Sequence, residues 1–103
     1  MRAEIKRCEM CGRGKPCLHE LTQGYGRRDI ALDQRGLIIG LCWNCHRIIH
    51  TLGLKGKVMG LAILLWRRPS DYCLELFWKV NGRRWPEQED VDEKLREARG
   101  ERF

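Results

Sequence analysis

Leu41-Cys42-Trp43-Asn44-Cys45-His46-Arg47-Ile48-Ile49-His50 puts two thiols and two imidazoles into ten residues, and the rest of the chain is read outward from it. Cys42 and Cys45 form a Cys-x-x-Cys knuckle that matches Cys8 and Cys11 upstream, so four thiolates can close a tetrahedral site across the intervening loop. Paired knuckles thirty residues apart are a structural zinc signature. His46 and His50 are four residues apart, which on a helix beginning at the knuckle sets both rings on one face, one turn apart. They are a second ligand pair, separate from the first.

The chain has 103 residues, the size of one small domain whose core gains from a metal staple. We read residues 1–103 as a single domain, with a zinc-stapled core over 8–52 and a helical C-terminal extension over 57–103. Lys and Arg number twenty against fourteen Asp and Glu, a net charge of +6. The balance is uneven: from Pro86 onward there are seven acids and four bases, which leaves +9 for the residues before it. Such a basic segment suits a polyanion, because each phosphate it neutralises releases condensed counterions. A merely soluble basic protein is the alternative until a site supports the charge. The charged start, Met-Arg-Ala-Glu-Ile-Lys-Arg, has no apolar signal region before the first Cys, so paired cysteines mean metal rather than disulfides. The longest apolar run, Val58 to Trp66, is too short to span a bilayer, and the expectation is a cytoplasmic protein without a membrane partner.

Along the chain, Cys17 to Leu21 reads as a short strand in which two leucines flank the polar pair His19-Glu20. Residues 22–35 are Gly-rich and charged, a loop in which Arg27 and Arg28 can approach phosphate. Gly36 to Leu41 is a second apolar strand running into the second knuckle. A helix from about Trp43 to Leu52 ends at Gly53, and Lys55-Gly56-Lys57 links it to a buried helix from Val58 to Arg68. After Pro69, Ser70 can cap a helix from Asp71 to Val80 whose Leu74, Phe77 and Trp78 form a core stripe. Asn81-Gly82 stops it, Arg83-Arg84-Trp85 is an exposed basic-aromatic patch, and Pro86 opens a last helix, acidic at its start and basic at its end. Cys17 and Cys73 read as buried reduced thiols, with Cys17 close enough in sequence to His19 to approach a metal.

A c-type haem attachment pattern, Cys42-x-x-Cys45-His46, would require export and would leave Cys8 and Cys11 without a role. A two-Cys, two-His finger needs about a dozen residues between the second Cys and the first His, and none separate Cys45 from His46. A zinc staple alone does not explain the histidines. The chain has only three, His19, His46 and His50, and all fall where two strands and a helix can bring them together.

These motifs resemble the HNH endonucleases of the ββα-metal fold, in particular the zinc-knuckle branch and the short phage and prophage HNH proteins. Those read His-His or His-Glu, a Gly five residues after the first His, an Arg pair or Asn-Arg, then Gly-Leu and two apolar residues before Leu-Cys. Here the matching residues are His19-Glu20, Gly24, Arg27-Arg28, Gly36-Leu37-Ile38-Ile39 and Leu41-Cys42, and the resemblance covers about Cys8 to His50. Leu76-Phe77-Trp78 and Asn81-Gly82 resemble the aromatic-Gly tail of the phage proteins.

The resemblance implies a hairpin and helix with a four-cysteine zinc knuckle; with the two or three C-terminal helices read from the later residues, the expected fold is α+β. The resemblance also implies an endonuclease or nickase that hydrolyses phosphodiester bonds in DNA with one catalytic divalent ion, magnesium, manganese, nickel or zinc, beside the structural zinc of Cys8, Cys11, Cys42 and Cys45. His19, His46 and His50 would be the ligands of that ion and Glu20 the general base; the exchanged assignment, His19 as base and Glu20 as ligand, stays open. Arg27, Arg28 and Arg47 would hold neighbouring phosphates. The family's central Asn falls at Leu37, which cannot make that residue's hydrogen bonds. A non-catalytic zinc module that binds nucleic acid through a degenerate HNH site is the alternative, and an assembly protein docking through its aromatic helix and acidic tail is a third class. Duplex, branched and single-stranded DNA, RNA, and a monomeric or dimeric state are all open at this point.

Overall fold

The computed structural model describes residues 5–21 and 35–100. Strand β1 (Cys17–Glu20) pairs antiparallel with β2 (Ile38–Leu41), in the register Cys17 with Leu41 and His19 with Ile39. Four helices follow: α1 (Trp43–Thr51), α2 (Leu54–Arg67), α3 (Leu74–Asn81) and α4 (Gln88–Ala98). The architecture is α+β, a two-stranded hairpin and four helices. No helix among the described residues is long and apolar enough to cross a membrane.

Every residue of β2 is buried, as a continuous apolar run requires. Ile39 and Leu41 face the main core with Leu21, Ile49 and the apolar residues of α2. Leu37 and Ile38 face a smaller cluster with Ile5, Leu18, Leu76 and Val80. Helix α2 is covered on nearly all sides, with Val58, Met59, Leu61, Ala62, Ile63 and Leu64 buried, and α4 lays Val91, Leu95 and Ala98 against that core at helical spacing. Arg35 to Leu37 forms a 3-10 turn rather than the start of the second strand, and Leu37 is fully buried there, its carbonyl accepting from the Leu21 N–H at 2.8 Å.

The free edge of β2 is not open. The Glu9 N–H donates to the Gly40 carbonyl at 2.8 Å, and the Gly40 N–H donates to Glu9 Oε1 at 2.9 Å. Arg68 completes the plug: its Nε donates to Glu9 Oε2 at 2.7 Å, Nη2 donates to the Ile38 carbonyl, and Nη1 donates to the Arg35 carbonyl at 3.0 Å and Asp71 Oδ2 at 2.9 Å. Glu9 is 7% exposed, so this is a buried ion pair whose remaining hydrogen-bonding capacity is spent on the backbone and on Asp71. Burial alone would lower the Arg68 guanidinium's pKa, but Glu9 and Asp71 outweigh it and raise it.

Several expected boundaries shift. Lys55 to Lys57 is not a linker: the turn ends at Gly53, whose φ of 60° a side chain would strain, and α2 begins at the next residue. The crossing of α1 and α2 is then so close that a Cβ on Gly56 would collide with the Ile49 carbonyl oxygen. Helix α3 starts at Leu74 and not at Asp71, because Asp71 is held by Arg35 and Arg68 in the preceding turn. Gly82, at φ 75°, ends it as expected. The last helix begins after Glu87, whose N–H donates to the Asp90 carboxylate at 3.0 Å. Trp85 is half-buried against the core rather than exposed, whereas Arg83 and Arg84 do face solvent.

Candidate functional site

Helix α1 carries parts of two donor clusters on neighbouring rows. Cys45 and Ile49 share the buried row, while His46 and His50 share the next. Cys42 stands just before the helix in an extended conformation, and the Cys8 to Gly12 turn meets it from the other side, with the Gly12 N–H donating to the Cys8 carbonyl at 2.8 Å. Cys8, Cys11, Cys42 and Cys45 are brought together so that their sulfurs all lie within 4.8 Å of one another. Cys11 Sγ and Cys42 Sγ are 3.7 Å apart; the edge of a tetrahedron with zinc–sulfur bonds of about 2.3 Å is about 3.8 Å.

The electrostatics of the four thiols also call for a cation. Burial would raise the Cys8 thiol, but backbone N–H groups of Cys11, Cys42 and Met10 outweigh it and bring it down to about 6. Burial pushes the Cys45 thiol up, and the neighbouring Cys42, Cys8 and Cys11 push it further. Without a metal, Cys8 ionises easily and Cys45 resists. Four ionised sulfurs at this spacing need a positive ion at their centre. Cys8, Cys11, Cys42 and Cys45 are positioned like a structural zinc site.

The second cluster joins β1 to α1. His19 points from the strand onto the helix, 5% exposed, with its ring centroid 4.8 Å from His46 and 5.5 Å from His50. His46 and His50 are 4.6 Å apart, and one nitrogen from each of the three rings lies within 4.8 Å of the others. His19 Nε2 is buried with no hydrogen-bond partner among the described residues, a cost that metal ligation would remove. Burial is the main reason that the His19 pKa falls to about 4, with the charges of Lys57, His46 and His50 adding to it. His46 is lowered by burial and by His50, while Glu20 pulls the other way. His19 is therefore neutral near pH 7, the form that offers a lone pair to a metal, and the shift of His46 runs in the same direction. Three nitrogens fit a divalent ion with coordination positions left for other oxygens.

A cavity of about 390 Å³ opens beside this cluster, lined by His19, Ile49, His50, Gly53, Leu54, Gly56 and Lys57. Sequence reasoning misses Lys57 by assigning it to a linker. Its Nζ donates to the Glu20 carbonyl at 3.3 Å, and burial lowers its pKa against the opposing charge of Glu20. A signal is present: Lys57 is in helical register with buried Gly60, Leu61 and Leu64. Glu20 ends β1 beside His19, near enough to both His46 and Lys57 for its charge to act on them. Arg47 is exposed on the adjoining face of α1, lining a shallow hollow with Asn44, Ile48 and Thr51.

Arg27 and Arg28 lie outside the described residues. Leu37 is fully buried and contributes nothing to the site. Cys17 and Cys73 are exposed rather than buried, and neither belongs to a donor cluster among the described residues. Cys17 opens β1 at the end of the hairpin, and Cys73 sits in an extended conformation just before α3, off its buried face. Comparison with protein-family models, with curated proteins and with solved structures finds no match to this chain.

Proposed function

We propose that the protein is a metal-dependent HNH-type endonuclease or nickase acting on DNA, built on a ββα-metal core with a second divalent ion at His19, His46 and His50. The observation that carries this reading is the convergence of all three imidazoles of the chain, from one strand and one helix, with a buried His19 nitrogen that has no other partner among the described residues. The four cysteines are positioned to serve as a structural staple, so a second donor cluster beside an open cavity is suited to chemistry.

What a divalent ion supplies there is charge neutralisation at the scissile phosphate and the leaving oxygen. Glu20 is the base that takes the proton from the attacking water, because His19 is committed inward to His46 and His50. Lys57, on the wall of the same cavity, supplies a fixed positive charge to the phosphate. Arg47 holds a flanking phosphate on the outer side of the helix. The basic character of the chain before Pro86 favours encounter with the polyanion.

A second reading keeps the fold and charge but not the chemistry: a zinc-stabilised module that binds nucleic acid through a degenerate site. Buried Leu37, at the position where HNH enzymes carry their Asn, favours it. Elemental analysis of wild type and His46→Ala separates the two. The nuclease reading expects one zinc in both proteins, a second divalent ion in wild type alone, and DNA cleavage lost in the variant. One zinc in both and no second ion with any metal offered would leave the binding module.

A further inference from the structure

A second hollow, of about 720 Å³, lies on the other side of the α1 start and is lined by Arg13, Gly14, Lys15, Trp43 and Asn44. Cys11, Cys42 and Cys45 form its floor, where the zinc would sit, so its outer part is what a ligand can use. Trp43 is 67% exposed, the most exposed of the large apolar side chains among the described residues. Its ring lies edge-on to His46 with centroids 6.1 Å apart, which is less than two stacked base steps at about 3.4 Å each. Arg13 and Lys15 are both exposed. Two cations beside a tetrathiolate zinc would offset its charge, but that leaves a bare indole face at the rim of a basic hollow unexplained.

We infer that Trp43, with Arg13 and Lys15, is a stacking site for an unpaired nucleobase of the DNA strand whose phosphate reaches the His46 centre. The preferred substrate is therefore single-stranded or branched DNA rather than continuous duplex. This rests on the nucleic-acid reading above and adds the substrate class. An indole presents its face to any base, while the neighbouring cations take the phosphates on either side. A paired base cannot use the site, because its faces are already covered by its neighbours in the stack.

The test is fluorescence anisotropy with a labelled thymidine oligonucleotide of about 12 nucleotides, within the usual site size of single-strand binding, and a duplex of equal length, in buffer without a second metal. Trp43→Ala should weaken single-strand binding roughly tenfold or more, Trp43→Phe should retain most of it, and duplex binding should change little. Equal zinc content in all three proteins checks that the fold is intact. Arg13→Ala with Lys15→Ala should flatten the salt slope of single-strand binding by about 1.4, and an unchanged slope overturns the share given to the two cations. Single-strand affinity unchanged in Trp43→Ala, or an equal loss on both probes, overturns the stacking site while leaving the nuclease reading in place. Wild type that binds neither probe overturns both.

Discussion

The two donor clusters of α1 stand one helical row apart and are built to opposite ends. The cysteine cluster is closed: four donors at tetrahedral spacing, drawn from two knuckles on either side of the hairpin. The histidine cluster has three donors, one of them buried without a partner, and it opens on a cavity with a lysine in its wall. A closed four-donor site holds chain segments together, whereas a site with positions left over can admit a reacting group. One short helix thus divides two tasks between neighbouring rows of side chains.

The most severe way to break the comparison is Cys45→Ser. Binding of a structural zinc amounts to about 10 kcal/mol or more of folding free energy, and the variant should lack cooperative thermal unfolding and native circular dichroism. A folded variant that keeps its zinc would move the staple elsewhere. Next comes Arg68→Met, which strands Glu9 in the interior and should cost about 3–5 kcal/mol. Because Glu9 lies inside the first knuckle, zinc should also be lost to a competing chelator faster, with the second metal's affinity unchanged.

Acid should report on the histidine cluster in protein that keeps its structural zinc but carries no second ion. His19 titrates near 4 when folded against an ordinary 6.5, so the unfolded chain binds the extra proton between those values and stability rises with pH there. The contribution is complete above 6.5 and lost as pH falls to about 4, on the order of 3 kcal/mol. His19→Asn should flatten that slope in pH-dependent urea melts; an identical slope would mean that His19 titrates alike in the folded and unfolded chain. The smallest effect on stability is expected for His46→Ala, within about 1 kcal/mol for a half-exposed side chain. It should nonetheless remove the second ion and all cleavage, and cleavage that survives would sink the histidine assignment.

What is legible in the sequence follows chemistry with fixed spacing. The knuckles name their own partners, and a four-residue gap places His46 and His50 on one helical face. The leucines around His19-Glu20 mark the first strand but not which of its polar residues turns toward the helix. The misreadings share a cause: they are decided by packing and ion-pair partners that the local pattern does not show. Lys57 reads as part of a linker because glycine weakens a helical pattern, yet Gly56 is there to admit the Ile49 carbonyl. Asp71 reads as a helix start, yet Arg68 and Arg35 hold it outside. Trp85 reads as exposed beside two arginines, yet it packs into the main core. Glu9 gives no signal at all, because nothing local says that the residue between two zinc ligands will meet Arg68.

That meeting has a bearing on how the protein keeps to itself. A two-stranded sheet offers unpaired backbone groups along its sides, and such edges recruit strands from other molecules. The knuckle backbone, the Glu9 carboxylate and the Arg68 guanidinium together occupy the Gly40 N–H and the carbonyls of Gly40, Ile38 and Arg35. The metal turn and one arginine act as a stopper against self-association, on a strand whose four apolar residues would otherwise make it the most aggregation-prone segment of the hairpin.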